Sequence, residues 1–278
     1  MLASTSILGI YQVIFVLFAT GLFIASLEYL KATSMFASNG ILSWNITQNR
    51  WGKKFQHGWL GHCFKQLFSE TGVKSLLYAR IVKIVLLLYF PMGSLIWFSI
   101  ALALVFNIAL YNLIAFYGSD GSDQMTSIIL ITITLCLVPF GNELLLKAGL
   151  WFIALQSCLS YFAAGIAKLL SPQWRGGTAV SGIFNSRTYG TEWVANYLKD
   201  KPQLGVFLCW SVIIIEILFP LCLLLPLPLC LVMLTWGFVF HLLNAVIMGL
   251  NSFLWAFIAT YPAILFVNSE ITGFLIGI

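Results

Sequence analysis

Between Leu76 and Tyr117 the chain stays apolar for about forty residues, interrupted only by Arg80 and Lys83 near its start. At about 1.5 Å of rise per residue, such a run is too long for one bilayer crossing unless steeply tilted, and too apolar for water. The stretch Pro91-Met92-Gly93-Ser94 is its natural breaking point, because proline stops a helix and glycine permits a tight turn. Elsewhere the chain repeats the theme: 60% of residues are hydrophobic, 8% are charged, and the mean hydropathy is +0.97. In lipid, backbone polar groups must be satisfied inside the segment, so the expected class is all-α, a polytopic membrane helix bundle.

With a hairpin at Pro91, about eight spans are predicted within one membrane domain covering 1–278: 8–27, 76–91, 95–117, 125–140, 147–170, 204–225, 229–249 and 251–268. The first is too long, and too poor in preceding basic residues, for a cleaved signal peptide, and reads as a retained helix. The hairpin would put the basic 31–75 connector on the same side as the 171–203 connector, which carries Arg175, Arg187, Lys199 and Lys201. By the positive-inside rule both would be cytoplasmic and both termini outside. The net charge of +5 therefore reads as topology, and nucleic acid is not an expected partner. The six cysteines include no CxxC pair and lie mostly in apolar runs, so neither a disulfide framework nor a metal site is expected.

In the 31–75 connector, Trp44, Trp51 and Trp59 alternate with Arg50, Lys53, Lys54, His57, His62 and Lys65. Indoles and cations together suit headgroup depth, either as an amphipathic interfacial connector or as a surface that grips substrate. The 171–203 connector reads as one or two short interfacial helices that could cover the mouth of a cavity, with Trp174 and Arg175 marking the interface. In the hinge Gly118-Ser119-Asp120-Gly121-Ser122-Asp123, the carboxylates are either helix caps in a solvated loop or part of a site.

Within 147–170, the residues Gln156, Ser157, Ser160, Tyr161, Ala164, Gly165 and Lys168 recur in steps of three and four and share one helix face. Small residues there let helices approach, and polar ones find partners inside the bundle. Lys168 either snorkels from the helix end to the headgroups or turns inward, where desolvation would let it act as a base. Glu216 and His241 lie inside later spans and should also point inward; a Lys–Glu pair that simply holds two helices is one reading. Gly237, His241, Asn244, Met248 and Asn251 suggest a second stripe, and the two stripes with Glu216 suggest a cavity.

YFAAGIAKL-x4-W around Lys168, Glu216 ahead of Pro220, and FH-x2-N-x3-MGL-x2-F around His241 with Tyr261-Pro262 together resemble the HTTM family. This family comprises the vitamin K-dependent γ-carboxylase membrane domain and bacterial relatives, including the sporulation-delaying protein B group. The hinge is similar to the Asp/Gly hinge of the bacterial members, and QWRGGTAV to their Trp-x-Gly-Thr-Ala segment. The likeness covers most of the chain from residue 76 onward.

What the resemblance implies is that Lys168 matches the lysine that, in the carboxylases, deprotonates a reduced quinone. His241 and Glu216 match polar positions in later helices, so the implied catalytic set is Lys168, His241 and Glu216. Asp120, Asp123, Gln156, Tyr161, Trp174, Arg175 and Asn244 are the cavity or substrate-binding candidates. The chain carries nothing like the carboxylase propeptide-binding domain, and Asp120 and Asp123 stand where the carboxylases have a histidine-bearing segment. The bacterial group therefore sets the functional expectation. That expectation is a factor in the bacterial cytoplasmic membrane that matures a small secreted peptide such as a toxin, with a companion maturation protein. The other class is a non-enzymatic channel, transporter or immunity protein using the same Lys, Glu and His.

Overall fold

The computed structural model describes residues 6–50, 52, 56–115, 120–138 and 142–276. Trp51, Lys53, Lys54, the last two residues of the expected 95–117 span, Gly118 and Ser119 of the hinge, and the last two residues of the expected 125–140 span lie outside them. No strand occurs among the described residues, and the all-α class is observed. Six helical segments among them are long and apolar enough to cross a membrane: Ile7–Lys31, Leu95–Ile114, Glu143–Leu170, Pro202–Leu223, Leu227–Met248 and Asn251–Phe274. The chain is a multi-pass membrane protein. Its apolar side chains cover the outside as well as the core, as lipid solvation requires; Phe106 and Val246 are 67% and 75% exposed.

The chain forms two compact units, Phe15–Asn142 and Met1–Ile14 with Glu143–Ile278. The first unit contains most of α1 (Ile7–Lys31), α2 (Trp44–Thr47), α3 (Gly58–Leu67), α4 (Glu70–Tyr89), α5 (Leu95–Ile114) and α6 (Gly121–Cys136). Helix α4 begins six residues earlier than the expected span at 76, because Ser69 caps it by accepting from Gly72 N at 3.1 Å. It carries Glu70, Lys74, Arg80 and Lys83, and α6 has only 16 residues, so neither is among the six long apolar segments.

The hairpin falls where Pro91 required it, with Gly93 in the left-handed region at φ 84° and Ser94 capping α5. Proline also deprives the Leu87 carbonyl of its helical donor. The indole Nε1 of Trp97 donates to that carbonyl at 3.1 Å instead. The 31–75 connector is more than an interfacial strap: Phe36, Trp44 and Phe68 form a core with Val73, Leu77, Tyr111 and Ile114. Trp59, by contrast, is exposed.

The second unit holds α7 (Glu143–Leu170), α8 (Pro172–Arg175), α9 (Thr178–Phe184), α10 (Glu192–Lys199), α11 (Pro202–Leu218), α12 (Leu227–Met248), α13 (Asn251–Ile258) and α14 (Tyr261–Ile276). The 171–203 connector thus contains three short helices, where one or two were expected. Helix α7 packs on α11 and α14. At Gly165 a Cβ would lie 2.9 Å from Ile217 N, so glycine sets the α7–α11 distance.

The expected 204–225 span is α-helical only to Leu218 and tightens into a 3-10 turn over Phe219–Leu223, where Pro220 and Pro226 remove backbone donors. The buried positions of α12 are Cys230, Leu234, Gly237 and His241, in steps of four, three and four. The expected stripe therefore ends at His241. Asn244 and Met248 are half-buried, Gly249 closes the helix at φ 73°, and Asn251 starts the next one.

Candidate functional site

All three residues expected to be catalytic lie in the second unit, on α7, α11 and α12. Lys168 stands within the last turn of α7, where a snorkelling side chain would turn to the surface. It turns inward: Nζ donates to Glu216 Oε1 at 2.9 Å and to Oε2 at 2.7 Å. The Lys168 side chain is 20% exposed and that of Glu216 4%, so the pair is a buried, bidentate ion pair opening on the lysine side. The Trp174 ring centroid lies 5.2 Å from Nζ, adding a cation–π contact. The turn at Gly177, with φ 78°, brings the connector against α11, where a Cβ would meet Val206 Cα at 2.6 Å. Arg175 is exposed, and its backbone carbonyl accepts from Trp210 Nε1 at 3.2 Å.

Two turns back along α7, about 10 Å by helical rise, Tyr161 forms a second polar group. Its Oη is 2.8 Å from His241 Nε2 and 3.5 Å from Tyr261 Oη. Phe219 stacks on Tyr161 with centroids 3.8 Å apart, and Phe257 stacks on the imidazole at 4.7 Å. Gly237 leaves the space these rings need; a Cβ there would lie 2.6 Å from Tyr261 Oη and 3.3 Å from Tyr161 Oη. Further back, Ser157 Oγ and Thr260 Oγ1 pair at 2.9 Å, and Trp151 Nε1 donates to Glu270 Oε2 at 2.8 Å. Helix α7 is therefore partnered through polar groups at four levels, three of them on the predicted stripe.

His241 is 3% exposed, and its Nδ1 has no hydrogen-bond partner among the described residues. The tautomer does not remove this: if Tyr161 donates to Nε2, an N–H at Nδ1 lacks an acceptor; if Nε2 donates, a lone pair lacks a donor. An unpartnered nitrogen inside an apolar bundle is costly, which makes it the one polar atom in this group that is free to engage something else.

The remaining sequence candidates fall elsewhere. Gln156 and Asn244 are half-buried. Asp120 and Asp123 belong to the first unit, where they build a capping box on α6: Asp120 Oδ1 accepts from Ser122 N and Asp123 N, and Asp123 Oδ2 accepts from Asp120 N. Tyr261 enters the sequence reading only as part of the Tyr261-Pro262 resemblance, without a site role, and Thr260 and Phe257 do not enter it. That reading also missed Asn268, whose Nδ2 donates to the Cys222 and Leu225 carbonyls at 2.9 and 2.8 Å. The absent N–H of Pro226 was the available signal, since it is the helical donor that Cys222 would have used. No protein-family model, no curated protein and no solved structure matches the chain.

Proposed function

We propose that this protein is an HTTM-type modification or maturation factor for a small exported peptide, working in a bacterial cytoplasmic membrane with a companion maturation protein. The observation that supports this reading is the intramembrane Lys168–Glu216 pair, open on the lysine side and roofed by Trp174. A proton moving from Nζ to a Glu216 oxygen, over 2.7 Å, would turn the charged pair into a neutral amine and a neutral acid. The amine could then take a proton from a peptide group while Glu216 holds the first one. Tyr161 sits two turns from Lys168 along α7, and His241, on α12, bonds to Tyr161, so their part is to shape and polarise the neighbouring space.

No quinone step belongs to this reading. The test is co-expression with the gene of a small secreted peptide and mass analysis of the peptide product. Lys168→Met should accumulate in the membrane and leave the peptide unprocessed; normal product from that variant would end the base assignment.

A second reading has its own observation. The pair joins α7 to α11 beside the close approach at Gly165, the place for a clamp in a non-enzymatic channel, transporter or immunity protein. Exchanging the two residues, Lys168→Glu with Glu216→Lys, separates the readings: a clamp keeps its function, whereas a base placed on the wrong helix does not.

A further inference from the structure

In the first unit, the 31–75 connector and the start of α4 enclose a cavity of about 450 Å³. Small-ligand sites span about 300–1,000 Å³, so the volume is that of a binding site. Its floor is buried and its rim is open: Phe36, Ser43, Trp44 and Phe68 are at most 7% exposed, whereas Asn45 and Lys65 are exposed. The floor is preformed, because Trp44 meets Phe68 edge-on with centroids 5.1 Å apart and both rings belong to the core of the unit.

Two donors of this floor have no hydrogen-bond partner among the described residues. The Ser43 hydroxyl makes no cap bond at the start of α2, and the Trp44 ring meets only Phe64 and Phe68, leaving its indole N–H unused. Neither group is sealed in as His241 Nδ1 is, so both open on the cavity that their residues line. Donors in such a place are satisfied by whatever fills it.

Water would serve for a hydroxyl and an indole, but the lining also carries both signs of charge. Lys65 forms no ion pair among the described residues. Glu70, half-buried, gives Oε1 to Lys74 at 2.6 Å and leaves Oε2 without a cation. Phe36 also borders a smaller, mostly apolar cavity of about 110 Å³, which has Asp123 on its wall and no lysine or arginine in its lining. Only the larger one complements a molecule with an anionic group for Lys65, Ser43 and Trp44 and an ammonium for Glu70. Glu70 stands six residues before Leu76, about 9 Å by helical rise from the start of the apolar run, which is headgroup depth. A zwitterionic headgroup with a primary ammonium meets these demands, and its glycerol end lies against the aromatic floor.

We propose that this cavity binds the headgroup of phosphatidylethanolamine, with the phosphate held by Lys65, Ser43 and Trp44 and the ammonium by Glu70. The site is independent of the Lys168–Glu216 reading.

The test is thermal unfolding of the full chain in a delipidating detergent, titrated separately with three phospholipids. Phosphatidylethanolamine should stabilise most; phosphatidylglycerol lacks the ammonium, and phosphatidylcholine has no N–H to give Glu70. Lys65→Gln, at an exposed position, should weaken the response about tenfold, the loss expected of one charge-assisted contact. Glu70→Gln should reduce the response to phosphatidylethanolamine to that seen with phosphatidylglycerol. It also breaks the Lys74 pair, which is partly exposed on both sides, so the fold survives. Lys199→Gln, exposed in the second unit, should respond as the parent does. Three findings would each overturn the proposal: equal stabilisation by the three lipids, a parental response from both Lys65→Gln and Glu70→Gln, or equal stabilisation by soluble glycerophosphoethanolamine, which would move the ligand from the membrane into solution.

Discussion

Asn268 donates its side-chain amide to the carbonyl of Cys222 at 2.9 Å, the bond that Pro226, lacking an N–H, cannot make. Its second contact, to Leu225 at 2.8 Å, secures the next free carbonyl. Asn268→Leu should therefore lower stability by about 1–3 kcal/mol, because two buried acceptors lose a shared donor while the packing volume is kept. Asn268→Asp should be no better, since a carboxylate has no N–H to give. Unfolding midpoints in detergent measure both, and a Leu variant as stable as the parent would mean that another group satisfies the broken helix.

The indole of Trp97 plays the corresponding part at the Pro91 break and can be tested more finely. Trp97→Phe keeps a ring against Phe15, now 5.6 Å away edge-on, and deletes only the donor to Leu87. A loss of about 0.6–1 kcal/mol is expected, the range of single intramembrane hydrogen bonds. Trp97→Ala should cost several times more, because this fully buried ring also fills the α4–α5 hairpin.

The ion pair of the candidate site predicts an asymmetry. Lys168→Met leaves Glu216, 3% exposed, without its cation and should cost about 3–5 kcal/mol. Glu216→Gln leaves a lysine with 20% of its side chain exposed and a way to the headgroups, so its cost should be smaller, about 1–2 kcal/mol. Lys168→Met with Glu216→Met should recover much of the loss, giving a strongly non-additive double-mutant cycle. The recovered double variant would still be inactive if Lys168 is a base.

These contacts show what a one-dimensional reading can and cannot see. The inward face of α7 was legible because Ser157, Tyr161, Gly165 and Lys168 recur with the helical period, and lipid makes such polarity expensive to leave outside. Glu216 was legible as an inward group for the same reason. Its pairing with Lys168 was one of the readings left open, and the axial offset between helices that selects it depends on small-residue contacts such as Gly165 against Ile217. Asp120 and Asp123 carried both a capping and a site signal, and local geometry decided for capping while leaving Asp123 on a cavity wall. The core around Trp44 was hidden because its partners, Phe68 and Tyr111, are distant in sequence and carry no shared periodicity.

His241 yields the prediction that most directly separates stability from function. Its imidazole stacks on Phe257 at 4.7 Å and is bonded through Nε2 to Tyr161, yet Nδ1 is buried with no partner among the described residues. His241→Phe keeps a flat ring in the stack and removes the orphaned nitrogen. It also frees Tyr161 Oη, which has Tyr261 Oη as a second partner at 3.5 Å. The gain from losing an unsatisfied atom and the loss of one hydrogen bond are each about 1 kcal/mol, so the variant should fold with a stability within about 1 kcal/mol of the parent. A residue retained only for packing would then be replaceable without consequence. If Nδ1 instead engages the peptide or positions its reacting group, His241→Phe should abolish peptide maturation in a protein that unfolds at nearly the parent temperature. His241→Asn, which restores a polar atom near the Nδ1 position, should recover part of that activity. Full activity in the Phe variant would assign His241 to the core and leave Lys168 and Glu216 as the only functional pair.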